Sequence, residues 1–211
     1  MLWSELKVQI GRKVNDASLT KNALSILDNA NDALRLFASM HTGVASVSDI
    51  TGDGETTQFP LPSNCIDSGE NQVYGVYDVT GDKWLTEVSF FPNTHLEVGY
   101  YIWPNGYINF NPFITDTYIY RVYYIAYYDV IVDDDTVINV PQWAYEAIKM
   151  YAAGRTLEDQ ASTMALLGQF RTRVDSGNPE DQPILRLAQG YIQQFWDIIN
   201  SHRAPQYDLT R

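Results

Sequence analysis

Hydrophobic positions along this chain recur with two different periods, and the changes of period divide it into three stretches. Leu2, Leu6, Ile10 and Val14 stand four apart, which predicts a helix over residues 3–16. Asn15-Asp16-Ala17-Ser18 interrupts it. A second helix is expected over 19–40, with Ala23, Ile26, Leu27, Ala30, Leu34 and Phe37 on one stripe. Lys21, Asp28, Asn31, Asp32 and Arg35 share its polar side, and Gly43 is placed to end it.

From Val44 to Val140 the pattern turns to alternation. Runs at 44–50, 58–61, 73–79, 83–90, 96–102, 107–110 and 117–130 read as short strands. Turn chemistry separates them, as in Thr51-Gly52-Asp53-Gly54, Gly81-Asp82 and Pro104-Asn105-Gly106. The last run is aromatic on both sides. Tyr118, Tyr120, Val122, Tyr124, Ala126 and Tyr128 share one face, and Ile119, Arg121, Tyr123, Ile125 and Tyr127 the other. Such a strand is a central one covered twice, or one whose second face meets another subunit.

Helical spacing returns after an acidic turn, Asp133 to Asp135. Pro141 suits a first helical position, where a missing N–H costs nothing. Helices are expected over 141–158, 162–174 and 183–201, with Asp175-Ser176-Gly177-Asn178-Pro179 as a break. The predicted class is α+β: a helical bundle made from both ends of the chain, with an inserted antiparallel β-sandwich or small β-barrel. In domains this is 1–43 (N-terminal helices), 44–140 (β-module), 141–201 (C-terminal helices) and 202–211, an extended tail ordered by a partner.

Composition narrows the function. A net charge of −12 argues against tight nucleic-acid binding, since neutralising phosphates requires Lys and Arg. Passive contact with DNA in an acidic channel stays compatible with it. No apolar run reaches the roughly 18 residues of a membrane span. Charges in MLWSELKVQIGRK stand where a signal peptide would be apolar, so a soluble, unprocessed protein is expected. The single cysteine, Cys65, excludes an internal disulfide.

His41, His95 and His202 lie in separate segments, and no GxSxG, HExxH or phosphate-cradling loop is present. Asp53 and Glu55, or Asp133 to Asp135, could ligate calcium, but neither segment has the full oxygen pattern; turn formation accounts for the first and a solvated acidic loop before a helix N-terminus for the second. No cofactor, metal or catalytic residue is assigned, and no enzyme is expected. With 15 Tyr and 5 Trp, the chain has more amphipathic aromatics than a lone monomer needs.

Beyond the residues alone, TGDGETTQFPLP (51–62) resembles a β-turn-β signature of tailed-phage structural proteins. GYINFNP (106–112) and YYIAYYDVIVDDDTVINVPQWAYEAIKMYAAGRTLED (123–159) follow it. This order of parts resembles the head-to-tail adaptor, or head completion and connector, proteins of tailed bacteriophages. The matching positions are Asp134, Asp135, Ile138, Pro141, Ala147, Tyr151, Ala152 and Arg155.

The resemblance implies a virion protein of the head-tail junction, made in the host cytoplasm. It would form a homo-oligomeric ring, dodecameric to match the portal protein beneath it. That ring would extend the DNA channel and dock a tail or neck-completion protein, with no membrane involved. Tyr123, Tyr127 and Trp103 are then candidates for burial between subunits, and Tyr207, Leu209 and Arg211 for anchoring the tail. Alternatives are another tail-completion or baseplate protein or, in a different class, a carbohydrate-binding or glycan-cleaving module.

Overall fold

A computed structural model describes residues 1–16, 18–40, 43–66, 73–88, 99–103, 106–111, 116–170 and 183–202, apart from the side chains of residues 103, 111 and 164–170. The chain divides into two units: Met1–His41 with Tyr128–Arg211, and Thr42–Tyr127. The expected α+β class is the observed one, with terminal helices flanking a β region. Tyr207, Leu209, Arg211, His41 and His95 lie outside the described residues.

The first unit contains α1 (Trp3–Lys13), α2 (Ala23–Met40), α3 (Ala144–Phe170) and α4 (Pro183–His202). Its core joins Trp3, Leu6 and Ile10 of α1 and Ile26, Leu34 and Phe37 of α2 to a largely small-residue α3. Ala144, Ala147, Ala152, Ala153 and Ala161 are all buried, because α3 is covered on several sides and small side chains let its neighbours approach. Gly154 marks the closest approach: a Cβ there would stand 2.9 Å from the Ala188 carbonyl oxygen and 2.8 Å from Ile192 Cγ1 in α4. Asn29 of α2 donates to Thr156 Oγ1 (3.2 Å) and Asp159 (3.1 Å), so the polar groups buried between α2 and α3 are paired.

Two helical expectations change. The predicted helices 141–158 and 162–174 are one helix, α3, because Asp159-Gln160-Ala161 contains no breaker. Pro141 lies in the turn before α3, where its carbonyl accepts from Ala144 N–H (2.8 Å), and the regular helix begins three residues later than expected. Residues 128–140, attached to the β-module by sequence pattern, pack within the helical unit.

There the acidic turn does structural work. Leu2 offers α1 no side-chain cap. Instead Trp3 N–H donates to the Thr136 carbonyl (2.9 Å) and Ser4 N–H to that of Asp134 (3.2 Å), satisfying donors that a helix start leaves open. Lys7 pairs with the Asp134 carboxylate. Asp16 plays the matching part before α2, accepting from the N–H groups of Thr20, Lys21 and Asn22 at 2.9–3.2 Å.

Among its described residues the second unit holds eight strands: β1 (Val44–Thr51), β2 (Gln58–Pro60), β3 (Val73–Asp78), β4 (Lys83–Trp84), β5 (Thr86–Glu87), β6 (Gly99–Trp103), β7 (Tyr107–Asn111) and β8 (Ile119–Ala126). They form two sheets, β1-β8-β3-β4 and β2-β7-β6-β5, and neither closes into a barrel. All pairings are antiparallel except β5 with β6, which is parallel. Both sheets feed one core of Val76, Tyr120, Val122 and Tyr124 with Tyr100, Ile108 and Phe110, and Phe110 meets Tyr120 at 5.5 Å between ring centroids. β8 lies between β1 and β3, as its aromatic pattern suggested, but only its even-numbered face is fully buried.

Two predictions follow from the helical unit. Replacing Gly154 by Ala gains about 1 kcal/mol of helix propensity, but overpacking against backbone costs about 1–3 kcal/mol. The expected net effect is a loss of about 1 kcal/mol in chemical unfolding. A gain in stability would show that α4 moves aside freely.

Burial pushes the Asp16 carboxyl up, but the N–H donors of Lys21, Asn22 and Thr20 outweigh this and hold it below its ordinary value. Its contribution is therefore complete above the unfolded carboxylate pKa of about 3.9 and is lost as pH falls through the lower folded value. Thermal unfolding of Asp16→Asn should consequently depend less on pH below about 4 than that of the parent chain.

Candidate interaction surface

The alternation that buries Tyr120, Val122 and Tyr124 places Arg121 and Tyr123 on the opposite face of the first sheet. Register supplies their neighbours. Tyr123 lies between Val47 of β1 and Gly75 of β3, and Arg121 between Asp49 and Tyr77. Trp84 of β4 sits opposite Tyr77.

Gly75 explains how these rings meet. A Cβ at this position would stand 3.1 Å from Trp84 Cζ3, so the missing side chain lets the indole lean across β3. Trp84 then contacts Tyr77 edge-on (5.1 Å between centroids) and reaches Tyr123 (5.2 Å). It remains 61% exposed, and Val47 beyond Tyr123 is 56% exposed. The result is a ridge of large apolar side chains held in place by one another yet open to solvent.

Polar groups frame the ridge. Arg121 donates through Nε and Nη2 to the two carboxylate oxygens of Asp49, at 2.8 and 2.9 Å. Hydrogen bonding from the guanidinium holds Asp49 below the usual carboxylate range, and the same contact raises Arg121. An exposed pair of this kind adds little to stability, but it fixes both side chains in a known orientation. Tyr77 OH donates to Asp82, and this bond pushes the phenol pKa up.

The other candidate chemistry resolves into local structure. Asp53 accepts from Glu55 N–H (2.9 Å), Thr56 N–H (2.7 Å) and the Thr56 hydroxyl, which holds its pKa to about 2. Asp133 accepts from Thr136 Oγ1 (2.7 Å). Among the described residues no group of three or more His, Cys, Asp and Glu converges. His202 stacks flat on Trp143 at 4.2 Å, and Cys65 is buried. No described helix is long and apolar enough to cross a membrane.

The residues singled out from the sequence are dispersed. Tyr123 is in the ridge, whereas Tyr127 lies just past the end of β8, half-buried, its N–H donating to the Asn64 carbonyl (2.8 Å). Trp103 ends β6 in the second sheet. Sequence reasoning passed over Trp84, Tyr77, Gly75 and the Arg121–Asp49 pair. A Lys-Trp pair closing a hairpin was the available signal for Trp84, but its reach to Tyr123 depends on register.

An α+β chain whose exposed sheet face carries Trp, Tyr and Arg held by mutual contacts has the chemistry of a protein-docking surface. No curated protein matches the chain. The family described as SU10 adaptor protein matches residues 1–193, and the chain belongs to that family. It is a phage adaptor, a structural protein of the virion, as the resemblance in its sequence implied.

The ridge yields a double-mutant test. Trp84→Ala and Tyr123→Ala should each leave the chain folded, and their combined effect should fall short of the sum. The expected coupling is about 0.5–1.5 kcal/mol, read from unfolding curves of the four proteins. Strict additivity would mean that the two rings do not support each other.

Proposed function

We propose that copies of this chain assemble as a ring on the phage portal, extend the DNA channel and present a platform for the next neck or tail component. The observation that carries this reading is the Trp84–Tyr77–Tyr123 ridge, an apolar surface kept solvent-exposed in a member of an adaptor family. Binding hot spots are enriched in Trp, Tyr and Arg, the residue types that this ridge and its frame present.

Ring closure matches a dodecameric portal, with Tyr123, Tyr127 and Trp103 among the contacts between neighbours. Tyr207, Leu209 and Arg211 act in anchoring the C-terminal segment. The acidic balance of the chain serves the channel: a net charge of −12 repels the DNA phosphates, so DNA passes without adhering.

The test is reconstitution with purified portal protein, imaged by negative-stain microscopy. Ring-shaped density added to the portal is expected for the parent chain. Trp84→Ala combined with Tyr123→Ala should reduce its occupancy at least tenfold while the variant remains folded by circular dichroism. A chain that stays monomeric beside the portal counts against the reading. The exposed Trp84 face also favours a second reading, stacking of a pyranose ring, and saturable glycan binding lost in Trp84→Ala would put it in place of the first.

A further inference from the structure

Among the described residues, three of the four sheet edges are blunted. β4 and β5 are two residues long, and β2 has three residues and ends in Pro60. Short strands and proline are the usual protection against unwanted pairing. The fourth edge, β1, is different. It runs for eight residues, pairs along its whole length with β8, and has no second neighbour among the described residues. It contains neither Lys nor Pro, and its one charge, Asp49, is engaged by Arg121.

Hydrogen-bond direction shows what this edge offers. Gly52 N–H donates to the Tyr118 carbonyl, while the carbonyls of Ile119 and Ile125 accept on the far side of β8, from Val79 and Ile66. In an antiparallel pair the bonded direction alternates along the strand. Val44, Ser46, Ser48 and Ile50 therefore bond to β8, and Ala45, Val47, Asp49 and Thr51 aim their N–H and C=O groups outward. The outward row is a template for one more strand, and it adjoins the Trp84–Tyr123 ridge through Val47.

We infer that β1 is a strand-addition site and that its occupant is residues 206–211 of a second copy of this chain. The inference rests on the ring reading, because a ring requires a head-to-tail contact between unlike surfaces, whereas two β1 edges facing each other would close a dimer. The occupant is chosen by its pattern and charge. Pro205 precedes a run that, set out as an extended strand, would put Tyr207, Leu209 and Arg211 on one side and Gln206, Asp208 and Thr210 on the other.

Residues 206–211 carry one Asp and one Arg side chain, so this segment lacks the acidic excess of the rest of the chain. Set parallel to β1, it brings Tyr207 and Leu209 beside Ala45 and Val47, and Arg211 to the end that carries Asp49, Asp53 and Glu55. Main-chain bonds supply affinity in this mode, and the alternate side chains supply register.

The experiment needs no portal. The full chain carrying Tyr207→Ala and Leu209→Ala is titrated into a fluorescently labelled peptide of residues 203–211, and anisotropy is read. Saturable binding is expected, with a scrambled peptide failing to bind. Val47→Pro in the same chain removes one outward N–H at an edge that tolerates proline and should weaken binding at least tenfold. Val47→Lys, a side-chain change on the exposed face, gives a second reading should the proline variant unfold.

Absence of peptide binding, or binding that neither variant weakens, overturns the inference. So does self-association through β1 in the Tyr207→Ala, Leu209→Ala chain, seen by sedimentation and abolished by Val47→Lys. Failure of the ring reading shows separately, in reconstitution with portal, and leaves the peptide result to be judged by itself.

Discussion

The helical unit depends on how closely α3 can be approached. Half of its described buried positions are alanine, and at Gly154 even a methyl group would meet the Ala188 carbonyl of α4. Small residues on a central helix exchange side-chain volume for close backbone approach, so the large groups that fill the core come from its neighbours: Trp3, Phe37 and Phe195. The polar contacts obey the same constraint. Asn29 and Thr156 can be buried only because close packing brings each a partner.

The β unit is organised around β8, which shows both ways of using aromatic side chains. Its even-numbered residues fill the core between the two sheets. Its odd-numbered face forms, with Trp84 and Tyr77, a ridge that water still reaches. Nothing in the stability of one chain requires that second face to be aromatic; a polar face would serve a half-solvated antiparallel sheet as well. Among the described residues, this apolar ridge adjoins an eight-residue edge strand with no second neighbour.

Much of the fold was legible because period is a local property. Alternation marked most strands to within a few residues, but the run expected as one strand over 83–90 holds two, β4 and β5, in different sheets; four-residue spacing marked the helices. The single helix α3 was divided in two because Asp159-Gln160-Ala161 looked like a pause, although nothing in those residues ends a helix. The aromatic ridge was only half legible. Tyr123 stood out by pattern, but Trp84 joins it through an intervening glycine two residues before Tyr77, and neither composition nor spacing reports which strands are neighbours.

The sequence by itself determined the α+β class, the aromatic character of β8, the acidic balance and the adaptor resemblance, since each follows from residue order or charge without reference to distant contacts. The tertiary structure decided what those features serve. It turned the carbonyls of Asp134 and Thr136 into a backbone cap for α1, moved residues 128–140 to the helical unit and left β1 as the long open edge among the described residues. Caps, register and edges are relations between segments far apart in the chain, and such relations exist only once the chain has folded.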